Sequence, residues 1–151
     1  MKIDKFKIVE AIEPVVGTNA VTGTYISLKN VVKCRVVVQI AQSSSATAAI
    51  TIERATAVAG TGSVAIATAV PIWVNLDTAA SDVLATATAA VSYTTDAGVK
   101  NKIVVFVIDP VALGDTYDCI TVKIGASATG TLYSALYLLE LRYSAAVVIT
   151  D

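Results

Sequence analysis

Short runs of β-branched and aromatic residues, each ended by turn-forming ones, constrain this chain more than any other feature. They fall at Lys5–Ile12, Thr24–Leu28, Val31–Ala41, Ala48–Ala55, Ile72–Asn75, Val91–Thr95, Lys102–Asp109, Cys119–Gly125 and Thr131–Tyr143. Between them stand Gly17-Thr18-Asn19, Lys29-Asn30, Ser43-Ser44-Ser45, Gly60-Thr61-Gly62, Asp96-Ala97-Gly98 and Ala128-Thr129-Gly130. Gly, Asn, Asp and Ser accept the dihedrals of tight turns, so the rhythm reads as strand, turn, strand. It predicts an all-β chain: an antiparallel β-sandwich, jelly roll or β-barrel. Residues 1–20 are expected as an N-terminal strand or arm set off by Pro14 and Gly17, able to lie across a neighbour; residues 21–151 are expected as one β domain.

Two stretches carry a second reading. Asp77–Ala90 is rich in Ala and offers Ser81 as an N-cap, so one short helix near residues 80–90 is allowed, as are a strand or a loop. The run Thr131–Tyr143 spaces Tyr133, Leu136, Tyr137 and Glu140 like a helical face. Strand is preferred there because the surrounding pattern is β throughout.

Where the apolar residues go is the next constraint. The chain is 55% hydrophobic and 15% charged, with a mean hydropathy of +0.70. Its longest unbroken aliphatic and aromatic run is Ile103–Ile108, far short of the ~20 residues a spanning helix needs. No membrane role is expected. A domain of this length buries only about 70% of the surface its unfolded chain exposes, so apolar surface must remain. Two strands make the surplus explicit. In Lys102–Asp109, Ile103, Val105 and Val107 alternate with Val104, Phe106 and Ile108. In Thr131–Tyr143, Leu132, Leu136 and Leu138 alternate with Tyr133, Tyr137, Leu139 and Leu141. A sheet with one wet face should alternate apolar with polar. These are therefore either central strands covered on both sides or strands whose outer face meets another subunit, and the subunit contact is the expectation. Tyrosine combines large contact area with a polar tip, and the expected contact residues are Tyr133, Tyr137, Leu139, Leu141, Tyr143 and Phe106. A homo-oligomer, first of all a trimer, is the expected state.

The chemical repertoire is narrow. The chain has no histidine, which removes imidazole bases, Ser-His-Asp and Cys-His arrangements and His metal ligands. It contains neither a phosphate-binding GxxxxGK[ST] loop nor GxGxxG after a strand. Net charge is −1, so nucleic acid is not an expected partner. Lys2, Lys5 and Lys7 are interleaved with Asp4 and followed by Glu10 and Glu13, which weakens any local positive field. Of the two cysteines, Cys34 shares the face of Val32, Val36, Val38 and Ile40 and reads as core; Cys119 shares the face of Thr121 and Lys123 and reads as polar-side. Two free thiols are expected. Asp118 beside Cys119 disfavours a thiolate nucleophile. Asp109, Asp115 and Asp118 could offer oxygen ligands to Ca²⁺, but their spacing is not that of an EF-hand and Asp next to Pro110 and near Gly114 serves turns. No metal, cofactor or catalytic residue is expected. Trp73, with Asn75 and Asp77 beyond it, reads first as a core or interface plug and second as a sugar platform.

Four segments carry a family resemblance: YISLKNVVKCRVVVQIAQ (25–42), ITIERATAVAGTG (50–62), WVNLDTAASDVL (73–84) and DCITVKIGASATGTLYSALYLLELRY (118–143). They resemble small structural proteins encoded in the morphogenesis regions of tailed bacteriophages and prophages. The resemblance implies a non-enzymatic virion component made in the host cytoplasm, with the major capsid protein or another virion protein as partner. The role implied first is head decoration (cement); a tail or head–tail junction protein is the alternative. A carbohydrate- or receptor-binding β-sandwich is the further alternative from the residues themselves.

Overall fold

The alternation in Val31–Ala41 sets the architecture: Cys34, Val36, Val38 and Ile40 are all buried, while Arg35, Val37 and Gln39 point the other way. The computed structural model describes residues 5–143. Among them, twelve strands form two antiparallel sheets: β1 (Phe6–Val16), β2 (Val21–Thr22), β3 (Ile26–Ser27), β4 (Val31–Ala41), β5 (Ala49–Ala55), β6 (Val64–Ala65), β7 (Val70–Asn75), β8 (Ala85–Ala90), β9 (Ser92–Thr94), β10 (Asn101–Ile108), β11 (Cys119–Ile124) and β12 (Leu132–Leu141). One sheet runs β1-β12-β4-β10-β7-β8. The other also totals six strands, but only four lie on one path, β2-β11-β5-β6, with β3 on β11 and β9 on β5 beside it; the sheet with all six on one path is called the six-stranded sheet. The fold is all-β and sandwich-like, as the turn-and-strand rhythm predicts.

The core is the inner face of each sheet. In the six-stranded sheet one row of facing residues crosses every strand: Val9, Tyr137, Val36, Phe106, Ile72 and Ala87. Ile50, Ile52, Ile120, Val122 and Ile124 meet it from the other sheet. Two tyrosines tie the layers together. The Tyr137 hydroxyl accepts from the Val122 amide at 3.1 Å and donates to the Thr24 carbonyl at 2.9 Å. These groups need a side-chain partner because β11 pairs with β2 at residues 21–22 and with β3 at 26–27, leaving the segment between off the ladder. The Tyr133 hydroxyl donates to the Gly125 carbonyl at 3.2 Å. Its ring lies so close to Gly17 that a Cβ there would sit 2.6 Å from the ring.

Four expectations are corrected. The segment 80–90 holds no helix: Ser81 accepts from the Val83 amide in a local turn, and Ala85–Ala90 pairs with β7 as an edge strand. Partners across a sheet outweigh the small helix preference of Ala. Val32, expected on the core face with Cys34, is 44% exposed, because the register against β12 shifts between Lys33 and Val31 and leaves it as the extra residue. Phe6–Val16 is a strand, one of the two forms expected for residues 1–20; it pairs with β12 of its own chain, and the Thr24 amide donates to the Ala11 carbonyl at 2.8 Å. Tyr133, Tyr137, Leu139, Leu141 and Phe106, expected at a subunit contact, lie in the core of the molecule. Tyr143 alone of that set is exposed. Cys119 and Thr121, on the outer face of β11, are nonetheless buried; the Thr121 hydroxyl donates to the Gly23 carbonyl at 2.7 Å, and Cys119 lies against β3, paired with Ser27. The Gly60–Gly62 turn is as expected, with φ of +76° and +64°.

Candidate interaction surface on the six-stranded sheet

The face of the six-stranded sheet turned away from the core is apolar at its centre. Next to the buried row runs an outward one: Glu10, Leu136, Val37, Val105, Trp73 and Thr86, one from each strand. Its four middle members are apolar. Ile8, Leu138 and Val107 flank it on one side and Ile103 on the other, with Arg35 among the first set and Gln39, Ser134 and Asn75 beside Ile103. Among the described residues this face is open at both ends of the row, while Val105 at its middle is buried, 9% exposed. Ile8 is 67% exposed, and Trp73 and Leu136 are each 39% exposed. The two strands apolar on both sides, β10 and β12, thus send one side inward and the other to this surface.

Position along the strand decides the roles. Ile72 and Val74 point into the core, so Trp73 between them must point out. Tyr137 and Leu139 point in, so Leu136 and Leu138 point out. Charge is confined to one half. Glu10, Glu140, Lys33 and Arg35 belong to β1, β12 and β4, and Arg35 pairs with Glu140 at 3.7 Å. On β10, β7 and β8 the one charged residue is Lys102, and it points inward. Register shifts in β1 between Glu10 and Val15 open a groove of about 150 Å³ beside the row. Val37, Gln39, Ser134 and Leu136 line it with Glu10, Ile12 and Pro14. Drug-sized ligands need ~300–1,000 Å³, so this groove has room for a side chain.

The other residues singled out in the sequence have structural roles. Asn75 donates to the Ser81 carbonyl at 2.7 Å and accepts from the Asp77 amide at 3.0 Å. Asp77 pairs with Lys100 at 2.7 Å, which holds its carboxyl below the usual carboxylate range. Both polar neighbours of Trp73 are thus committed to the 75–81 turn. Asp109 accepts from the Val111 amide and caps the 3-10 turn Pro110–Leu113. Asp118 pairs with Lys29 at 3.1 Å, and hydrogen bonds from Cys119 and then Lys29 lower its carboxyl from the ordinary value. Among the described residues no group of three or more Cys, Asp or Glu is arranged to hold a metal. Burial pushes the Cys34 thiol up to about 12, so it stays protonated at neutral pH.

The sequence reading missed Val37, Val105 and Leu136 as surface groups. The signal was present: once β4, β10 and β12 are placed, the alternate of each buried residue is an outward one, and here the alternates are apolar too.

No family model matches this chain. No curated protein matches it either. Among solved structures it is similar to the crystal structure of SPBc2 prophage-derived protein YomS, with a TM-score of 0.50 and 13% identity over 89% of this chain and 92% of that one. At that identity the likeness speaks for the fold, and it extends over both chains almost end to end.

Proposed function

We propose that this protein is a non-enzymatic structural component of a phage virion, held in its assembly by the outward face of the six-stranded sheet. The carrying observation is the outward apolar row Leu136–Val37–Val105–Trp73, exposed at Leu136 and Trp73, in a sheet whose inner face is already used by the core. A contiguous apolar patch rimmed by polar groups marks a protein contact. The absence of histidine and the protonated Cys34 thiol support a non-catalytic role. The prophage origin of the similar fold and the family resemblance of the four segments support a phage setting. Within it, we assign head decoration as the role, with the major capsid protein as a partner in the same shell. A place in the tail or at the head–tail junction uses the same surface and is the alternative. The sugar-binding reading loses its support, because Asn75 and Asp77 are occupied in their own turn.

The test is incorporation. Phage particles purified on a density gradient should contain this chain at a fixed ratio to the capsid protein, by quantitative mass spectrometry. The Trp73→Lys protein, added to particles lacking the wild-type chain, should stay at the top of the gradient. Absence of the wild-type chain from heads and tails alike would remove the proposal.

A further inference from the structure

We infer that the outward face of the six-stranded sheet docks on the same face of a second copy, about a two-fold axis that runs along the strands between β4 and β10. This rests on the reading of that face as a protein contact and names the occupant. A two-fold axis parallel to the strands preserves position along them and exchanges strands on either side of it. In the order β1-β12-β4-β10-β7-β8, it sets β4 against β10, β12 against β7 and β1 against β8 of the other copy. The outward row is then self-complementary. Val37 meets Val105, and Trp73 of one copy meets Leu136 of the other at the mouth of the 150 Å³ groove. The protruding indole and the groove sit at opposite ends of one row, so each copy supplies one knob and one hole.

Charge fits the same axis. Glu10, Glu140, Lys33 and Arg35 all lie on the β1/β12/β4 half of the face; β10, β7 and β8 turn no charge outward. Glu10 then meets Thr86 and Arg35 meets Val107, while Lys33 falls opposite Asp109 just past the end of β10, and no like charges are opposed. Aligned sheet-on-sheet packing at ~10 Å tolerates the twist of both sheets. Size sets the strength. Six strands ~4.8 Å apart and three rows ~6.8 Å apart mark out roughly 500 Å² per copy. A standard stable interface uses ~800 Å² per partner, so the dimer should be weak and concentration-dependent.

Trp73 is the chain's one tryptophan and reports on its own burial. The experiment is a concentration series of purified protein, followed by sedimentation equilibrium and by tryptophan emission. Wild type should move from monomer to dimer mass with a parallel blue shift. Leu136→Lys keeps Trp73 but closes the groove; it should weaken the dimer by ~30-fold or more, as expected for a contact hot spot, and hold the emission at its monomer wavelength. Val58→Lys, at an exposed position in the β5–β6 connection of the other sheet, should dimerise as wild type. Unchanged urea midpoints establish that the variants are folded. A protein that stays monomeric throughout, a trimer mass, or a dimer indifferent to Leu136→Lys would each overturn the two-fold docking. The two readings fail separately: a monomer found in particles removes the dimer alone, and a dimer absent from particles removes the virion role alone.

Discussion

Removing one oxygen from Tyr137 isolates what a single side chain does for this sandwich. Its hydroxyl satisfies two backbone groups, the Val122 amide and the Thr24 carbonyl, where β2 and β3 break away from β11. The ring is buried, and burial pushes the phenol up to about 12, so it remains a donor across the working pH range. Tyr137→Phe keeps the ring and orphans both groups. The expected loss is about 1–3 kcal/mol, the cost of unsatisfied buried polar groups, measured as a lower urea midpoint with an unchanged slope. A neutral substitution would mean that water reaches this gap. The residue scale is also where the sequence misled. A tyrosine on an apolar strand reads as a contact residue, but whether its partner is another subunit or the opposite sheet depends on where β11 lies, and no local pattern encodes that.

Between elements, the clearest device is a clamp at one end of the sandwich. Lys102 points inward from β10 and its side chain is fully buried. Its ammonium donates to Gln42 Oε1 at 2.9 Å, the Asp96 carbonyl at 2.8 Å and Asp96 Oδ1 at 2.6 Å. The Gln42 amide in turn donates to the carbonyls of Ser44, Ala46 and Asp96. The end of β4, the β4–β5 connection and the β9–β10 connection are thereby held at one point. The hydrogen bond from Lys102, then that from the Gly98 amide, holds the Asp96 carboxyl below its ordinary value. A carboxyl depressed on folding stabilises above its unfolded pKa of ~3.9 and loses that contribution as pH falls through the folded value. Wild type should therefore lose stability relative to Asp96→Asn as pH falls below about 4, with the difference constant at higher pH. Chemical denaturation at a series of pH values checks it; parallel curves would show that the clamp contributes nothing. None of this was legible beforehand, because Lys102 opens an otherwise apolar strand and reads as a solvated end.

Across the whole molecule, Cys34 is a reporter of cooperativity. It is fully buried on β4, the third strand of the six on one path, and its thiol stays protonated. Labelling requires the two sheets to part. Its rate with a thiol reagent should rise with urea at the slope of global unfolding. A shallower dependence would show that one sheet opens before the other. At this scale most of the architecture was readable: β4, β5, β7, β10, β11 and β12 stand within two residues of the runs seen in the sequence. Their β-branched content is dense and their turns are explicit. The edges were not readable. β8 is Ala and Thr, half-exposed and without a strong period, so only its pairing with β7 makes it a strand. β6 and β2 are two residues each and exist through β5 and β11.

What this sequence determines by itself is a β chain with more apolar surface than one core can absorb, because alternation and turn chemistry are local and every strand carries its own record of both. Which apolar face becomes core and which becomes surface was decided by tertiary structure. In β10 and β12 both faces are apolar, and local pattern gives neither a preference. The second sheet breaks the tie: it covers the side bearing Tyr133, Tyr137 and Phe106, and it leaves Leu136, Val105 and, on β7, Trp73 turned outward.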